Sequence, residues 1–219
     1  MNSKNDTHIY FMPGMCANSL IFERITLSPN FKPHYLSWIS PLQNESLRNY
    51  VLRLSKYIKH ENSVLIGVSF GGVIVQELSK ILKIKKVIII SSVKSNKELS
   101  NSMKFAKKTK SYKLLPLTWL EDFESLLVFV LGPKIKRKVN LYRKYLSVRD
   151  ENYLKWAIKE MVNWKQSIPL KNVIHIHGTY DLVFPVLNLK NYIPVERGDH
   201  TMILKRADWL NDYFLKNLD

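Results

Sequence analysis

The sequence is poor in cysteine, in acidic residues and in long apolar runs. Cys16 is the single cysteine among 219 residues, which excludes an internal disulfide and suits a reducing compartment, so a cytoplasmic location is expected. The longest apolar runs, at 87–90 and 126–131, fall far short of the roughly 20 residues that a membrane-spanning helix needs. The opening MNSKNDTHIYFMPG reaches strand-like sequence without an apolar stretch of secretory-signal length. Seven glycines and nine prolines form no tract, and no internal repeat is present, which argues against a linker, a solenoid or a disordered chain. What remains is the size and composition of one folded domain, 46% hydrophobic and 24% charged.

Scarcity of acid leaves 34 Lys and Arg facing 18 Asp and Glu, a formal charge of +16. The excess is concentrated, because residues 94–168 hold 14 Lys and 3 Arg against 7 acidic residues and so carry +10 of it. Basic surfaces of this kind serve nucleic acid, anionic membrane or acidic ligands. Overall there are 26 Lys and 8 Arg, whereas base reading favours guanidinium forks. KFAKKTK at 104–110 and KIKRK at 134–138 belong to no zinc, RNP-type or helix-turn-helix pattern. No nucleic-acid partner is expected. The plain reading is a solvated lysine-rich helical surface; contact with an anionic membrane surface is the functional one.

Short β-branched runs alternate with segments of helical period, the pattern of an α/β domain with a mainly parallel sheet. Strands are expected at 8–11, 34–39, 63–68, 86–90, 173–177 and 191–195. VLIGV and VIII are continuously apolar, as strands covered by helices on both faces should be. In 44–60, Leu47, Tyr50, Val51, Leu54 and Ile58 follow helical spacing, with Asn44 or Ser46 available as N-cap. Further helices are expected at 72–82 and 207–218, and Asn18 can cap a short one over 19–24. The alternation breaks between 92 and 169, too long for a single crossover, so this stretch reads as an inserted helical segment. Its helices are placed at 97–108, 117–131, 134–147 and 151–164. Trp156 and Trp164 supply it with apolar surface, either for packing on the core or for a substrate wall.

Within VLIGVSFGGVIVQEL, Gly67-Val68-Ser69-Phe70-Gly71 matches GxSxG, with a strand before it and a helix after it. In such an elbow the serine sits on a sharp turn. A serine hydroxyl is a weak nucleophile that needs a base within hydrogen-bond reach, and the base needs an orienting group. Downstream, Asp181 follows the expected strand at 173–177 in NVIHIHGTYDLVFP, and His200 follows the last strand in VERGDHTMI. Parallel strands deliver these loops to one sheet edge. Asp199 is the rival acid, but its place next to His200 turns it away from the imidazole. Amides of Phe70 and of Met15, in the loop IYFMPGMCANSL, can stabilise an oxyanion. Cys16 reads as a small buried neighbour of that loop rather than a nucleophile. His175 and His177 alternate in a strand and read as a core pair, and His8, His34 and His60 fall in no pattern.

On these residues the chain resembles the α/β-hydrolase superfamily, particularly small members with an MPGM-type first loop, a GxSxGG elbow, an HGxxDxxxP acid loop and a GxH ending. The match runs over nearly the whole chain. It implies Ser69 as nucleophile, His200 as general base and then acid, Asp181 as the residue holding the imidazole, no cofactor and no metal. It also implies a core of residues 1–91 and 170–219 with a helical cap at 92–169. Two features depart from the family: the chain starts at what would be its third strand, and the first loop has Pro-Gly where many relatives have His-Gly. The expected activity is hydrolysis of an ester or thioester of a small, largely apolar substrate through an acyl-enzyme. The competing expectations are a non-catalytic ligand-binding protein of the same fold and a lipid esterase docked on anionic membrane by a basic cap.

Overall fold

The computed structural model describes residues 6–114 and 143–218. Its centre is a six-stranded sheet in the order β2-β1-β3-β4-β5-β6, with every neighbouring pair parallel. The strands are β1 (Thr7–Met12), β2 (Phe31–Tyr35), β3 (Ser63–Val68), β4 (Ile84–Ile90), β5 (Val173–Gly178) and β6 (Ile193–Val195). All six residues of β3 and the last four of β4 are buried, as their unbroken apolar character requires. Among the described residues no helix is long and apolar enough to cross a membrane.

Helix α1 (Leu47–Leu54) buries Leu47, Tyr50, Val51 and Leu54, and Ser46 caps it by accepting from the Asn49 N–H at 3.3 Å. It ends at Leu54 in a short 3-10 turn over Ser55–Tyr57. Because β1 lies between β2 and β3, the connection through α1 spans β1. Helix α2 (Phe70–Ser79) starts directly after Ser69, two residues before its expected start. Asn18 caps a 3-10 turn at Ser19–Phe22, its Oδ1 accepting from Leu20 N–H at 2.9 Å.

β2 departs from expectation. The expected strand was 34–39, yet pairing runs over Phe31–Tyr35, with Pro33 opposite Ile9. Pro33 reads as a strand breaker in a central position, but β2 is an edge strand, where a missing backbone donor costs no ladder bond on the open side. The displaced residues 36–39, Trp38 among them, form the loop that follows the strand.

Of the helices expected between 92 and 169, two are described, α3 (Asn101–Thr109) and α4 (Glu151–Asn163). The expected helix at 117–131 lies outside the described residues, and of 134–147 only the end, from 143, is described. Trp156 packs on Tyr50 of α1 at 4.1 Å between ring centroids and donates its indole N–H to Glu45 O at 2.9 Å. Trp164 donates to Glu77 Oε1 on α2 at 2.7 Å. Both tryptophans therefore tie α4 to the core. The chain closes with α5 (Met202–Lys205), which was not foreseen, and α6 (Ala207–Asn217), which buries Leu210 and Phe214.

Candidate active site

The strand order reverses between β1 and β3, and in open α/β sheets the crevice outside the carboxyl ends at such a point is where ligands bind. The loops after β1 and β3 meet there. Ser69 has φ 53° and ψ −122°, a left-handed conformation rarely adopted by a side chain-bearing residue and costing about 1–3 kcal/mol. The neighbourhood leaves no alternative. Ser69 N–H donates to Ile90 O at 2.9 Å, and its carbonyl accepts from Ser92 Oγ at 2.7 Å and Gly72 N–H at 2.9 Å. Glycines flank the turn for steric reasons: a Cβ on Gly67 would lie 2.3 Å from Gly71 O, and one on Gly71 would lie 2.3 Å from Pro13 O. Neither contact is possible in a folded chain.

β5 and β6 bring the other two groups to the same edge. His200 Nε2 lies 3.0 Å from Ser69 Oγ, and His200 Nδ1 lies 2.8 Å from Asp181 Oδ2. All three side chains are buried. Asp181 Oδ1 accepts from the N–H groups of Val183 and Phe184 at 2.8 and 3.0 Å, which fixes the carboxylate. Burial alone would raise the Asp181 carboxyl, but the charge and hydrogen bond of His200, with His177 and the Phe184 donor, outweigh it and hold the group below the usual carboxylate range. The carboxylate is thus ionised at neutral pH. It requires a proton on His200 Nδ1 and leaves Nε2 as the acceptor facing Ser69. Asp199 turns away and is occupied by Thr201, at 2.6 Å from its Oγ1, and by Lys205.

Met15 and Phe70 stand on either side of the turn. Gly14 packs on Ser69, since a Cβ there would lie 3.3 Å from Ser69 Cβ. Gly14 O accepts from the Trp38 indole at 3.0 Å and from Ala17 N–H at 3.0 Å. In a planar trans peptide the N–H of Met15 then points the opposite way. Among the described residues neither the Met15 nor the Phe70 amide has a hydrogen-bond partner. Trp38 also stacks on the Phe70 ring, 5.5 Å between centroids at 9°, so one side chain braces both segments. Reading 36–39 as the end of a strand concealed Trp38.

Cys16 is wholly buried, and burial pushes its thiol far above the usual range, which leaves it a structural neighbour of the loop. His175 and His177 are a buried pair, Nε2 to Nδ1 at 3.1 Å, and His177 Nε2 donates to Phe184 O at 2.9 Å. Burial lowers both imidazoles, so they stay neutral. His177 Nε2 also lies 3.4 Å from Asp181 Oδ2, a second histidine on the carboxylate that spacing alone did not reveal.

A small apolar cavity of about 40 Å³ opens on Ser69 and His200, walled by Met15, Ile21, Tyr145, Leu146 and Leu204. A larger one of about 410 Å³ lies beyond Met15 and is lined by Met103, Tyr112, Ile158 and Met161 among others. Met15 is the wall they share. Tyr145 and Leu146, in the connection between β4 and β5, thus line the space at Ser69, while Trp156 and Trp164 pack on the core.

No family model and no curated protein matches the chain. Solved structures do. A putative non-heme bromoperoxidase from Mycobacterium tuberculosis H37Rv is 14% identical with a TM-score of 0.70, over 97% of this chain and 91% of that one. A lipase-esterase related protein from Clostridium acetobutylicum is 18% identical with a TM-score of 0.67, over 100% and 96%. A 2-hydroxy-6-oxo-6-phenylhexa-2,4-dienoate hydrolase from Rhodococcus is 16% identical with a TM-score of 0.66, over 97% and 90%. The chain has the α/β-hydrolase fold. Against these neighbours the likeness extends over nine-tenths or more of both chains.

Proposed function

We propose that the protein is a serine hydrolase that cleaves an ester or thioester of a small, largely apolar acyl group through an acyl-enzyme. The observation that carries this reading is the continuous path from Ser69 Oγ to His200 Nε2 at 3.0 Å and from His200 Nδ1 to Asp181 Oδ2 at 2.8 Å. As Ser69 Oγ attacks the carbonyl carbon, its proton passes to His200 Nε2, and Asp181 stabilises the imidazolium that forms. The oxyanion of the tetrahedral intermediate takes the amides of Met15 and Phe70, positioned without solvent reorganisation. His200 then gives its proton to the leaving oxygen or sulfur, which departs and leaves the acyl group on Ser69. Water, deprotonated by the same nitrogen, releases the acid.

The apolar walls of the small cavity support a short acyl chain, and the titles of the structural neighbours include hydrolases and a lipase-esterase related protein. A fold alone hosts many reactions, so the site has to support the assignment. Activity on a p-nitrophenyl ester chain-length series tests it: turnover of short esters by the wild-type chain, absent in a folded Ser69→Ala variant, is the expected result. Turnover retained by that variant contradicts it.

A further inference from the structure

Three histidines at the opposite edge of the sheet have no part in this chemistry. His8 stands at the start of β1, His34 lies on β2 beside Tyr10 in the parallel register, and His60 is in the loop entering β3. One ring nitrogen from each lies within 4.8 Å of the other two. We propose that His8, His34 and His60 form a binding site for a divalent transition metal of the zinc type.

The nitrogens already converge. His8 Nδ1 and His34 Nε2 face each other at 2.8 Å, a separation that requires one shared proton between two lone pairs. A cation replaces that proton, which moves to the outward nitrogen of the same ring, so both imidazoles stay neutral. Three imidazoles with an open fourth position are a common zinc-binding set, with Zn–N of about 2.0–2.1 Å and therefore N···N of about 3.3 Å in a tetrahedron. The His8–His34 pair has to open by roughly 0.5 Å to reach that spacing. His60 stacks on His8 at 3.4 Å between centroids and 4° between planes, so its ring must turn for its lone pair to meet the same ion. Of the three it is the residue carried by a loop and not by a strand.

The surroundings favour coordination. Tyr10 Oη lies 2.7 Å from His60 Nδ1 and accepts from Lys59 N–H at 2.9 Å, so Nδ1 of His60 is engaged by a hydrogen bond of the kind that orients ligating histidines and Nε2 is the nitrogen left for a metal. Asp6 and Lys32 face His8 and are paired with each other at 3.7 Å. The rings are half-buried, so the site is reachable from solvent.

Titrating the full chain with Zn²⁺ in competition with a chromogenic chelator tests the site. Expected is one tight Zn²⁺ per chain, with affinity falling at least tenfold in His34→Gln and in His60→Ala, while Mg²⁺ and Ca²⁺ do not compete. Far-ultraviolet circular dichroism shows whether each variant is folded, and His60→Ala is the one that leaves the sheet untouched. Anomalous scattering from a Zn²⁺-soaked crystal locates the ion. No stoichiometric Zn²⁺, or equal affinity in the wild type and a folded His60→Ala, overturns the proposal, as does an ion located away from these rings.

Discussion

The two ends of one sheet carry histidines in opposite circumstances. At the carboxyl edge His200 is buried between a hydroxyl and an ionised carboxylate, and the carboxylate is itself held by the backbone N–H groups of Val183 and Phe184. At the amino edge His8, His34 and His60 are half-exposed and hydrogen-bond to one another and to Tyr10, with Asp6 nearby and paired to Lys32. The contrast teaches what makes an imidazole a base and what makes it a ligand. A carboxylate behind the ring fixes one tautomer and stabilises the charged form, which proton transfer requires. Neutral rings facing one another share a proton that a cation can replace.

The largest expected effect lies at the carboxyl edge. Ser69→Ala should lower kcat for a short p-nitrophenyl ester by about 10⁴-fold or more, since the members of a serine triad act as a unit. Its fold, read by circular dichroism, should be kept or slightly stabilised. His60→Ala at the amino edge should leave kcat unchanged, and a comparable loss there would erase the distinction between the edges. Trp38→Phe comes next. Losing one oxyanion donor outright costs about 100–1,000-fold; here the donors remain and only the Gly14 anchor is lost, so a fall of about tenfold in kcat with KM nearly unchanged is expected from steady-state kinetics. Met15→Ala removes the wall between the two cavities and keeps the amide. Its kcat/KM should shift several-fold toward longer acyl chains in the ester series, and an unchanged preference would show that the larger cavity does not take substrate.

The smallest effect concerns stability against pH. His175, His177, His8 and His34 all titrate below the ordinary histidine range in the folded chain, with burial the largest cause in each. Their unfolded forms therefore bind protons first. The stabilisation is complete above about pH 6.5 and is lost as pH falls from there through the lowered folded values. Asp181, held low, adds stability that is complete above about pH 4 and is lost below it. Urea midpoints measured from pH 8 to pH 5 should fall, less steeply in a His8→Ala, His34→Ala double variant. Because His175 and His177 are the more deeply buried, most of the slope should survive that change.

The two edges also differ in how much of them could be read from residues. Ser69 follows directly on β3, and Asp181 and His200 lie in the loops that leave β5 and β6, so locating the strand ends brought the three side chains to one edge. The glycines around Ser69 signalled a turn that only small neighbours permit. Trp38 was misplaced because the strand was expected at 34–39, whereas pairing covers Phe31–Tyr35, with Pro33 accommodated at the edge of the sheet. His177 was read as a core residue, which it is, but its approach to Asp181 depends on how the loop after β5 folds back. The amino-edge histidines were invisible for a different reason. They are 26 residues apart in two successive steps, and only the parallel register of β1 with β2 and the return of the chain through α1 bring them together.

The central claim is that Ser69 is an activated nucleophile, and labelling tests it without knowledge of the substrate. Intact-mass spectrometry after a fluorophosphonate treatment should show a single adduct that peptide mapping places on Ser69. The adduct should be absent in Ser69→Ala and should form far more slowly in His200→Ala. A folded wild-type chain that stays unlabelled, or a label that persists when Ser69 is replaced, would contradict the account.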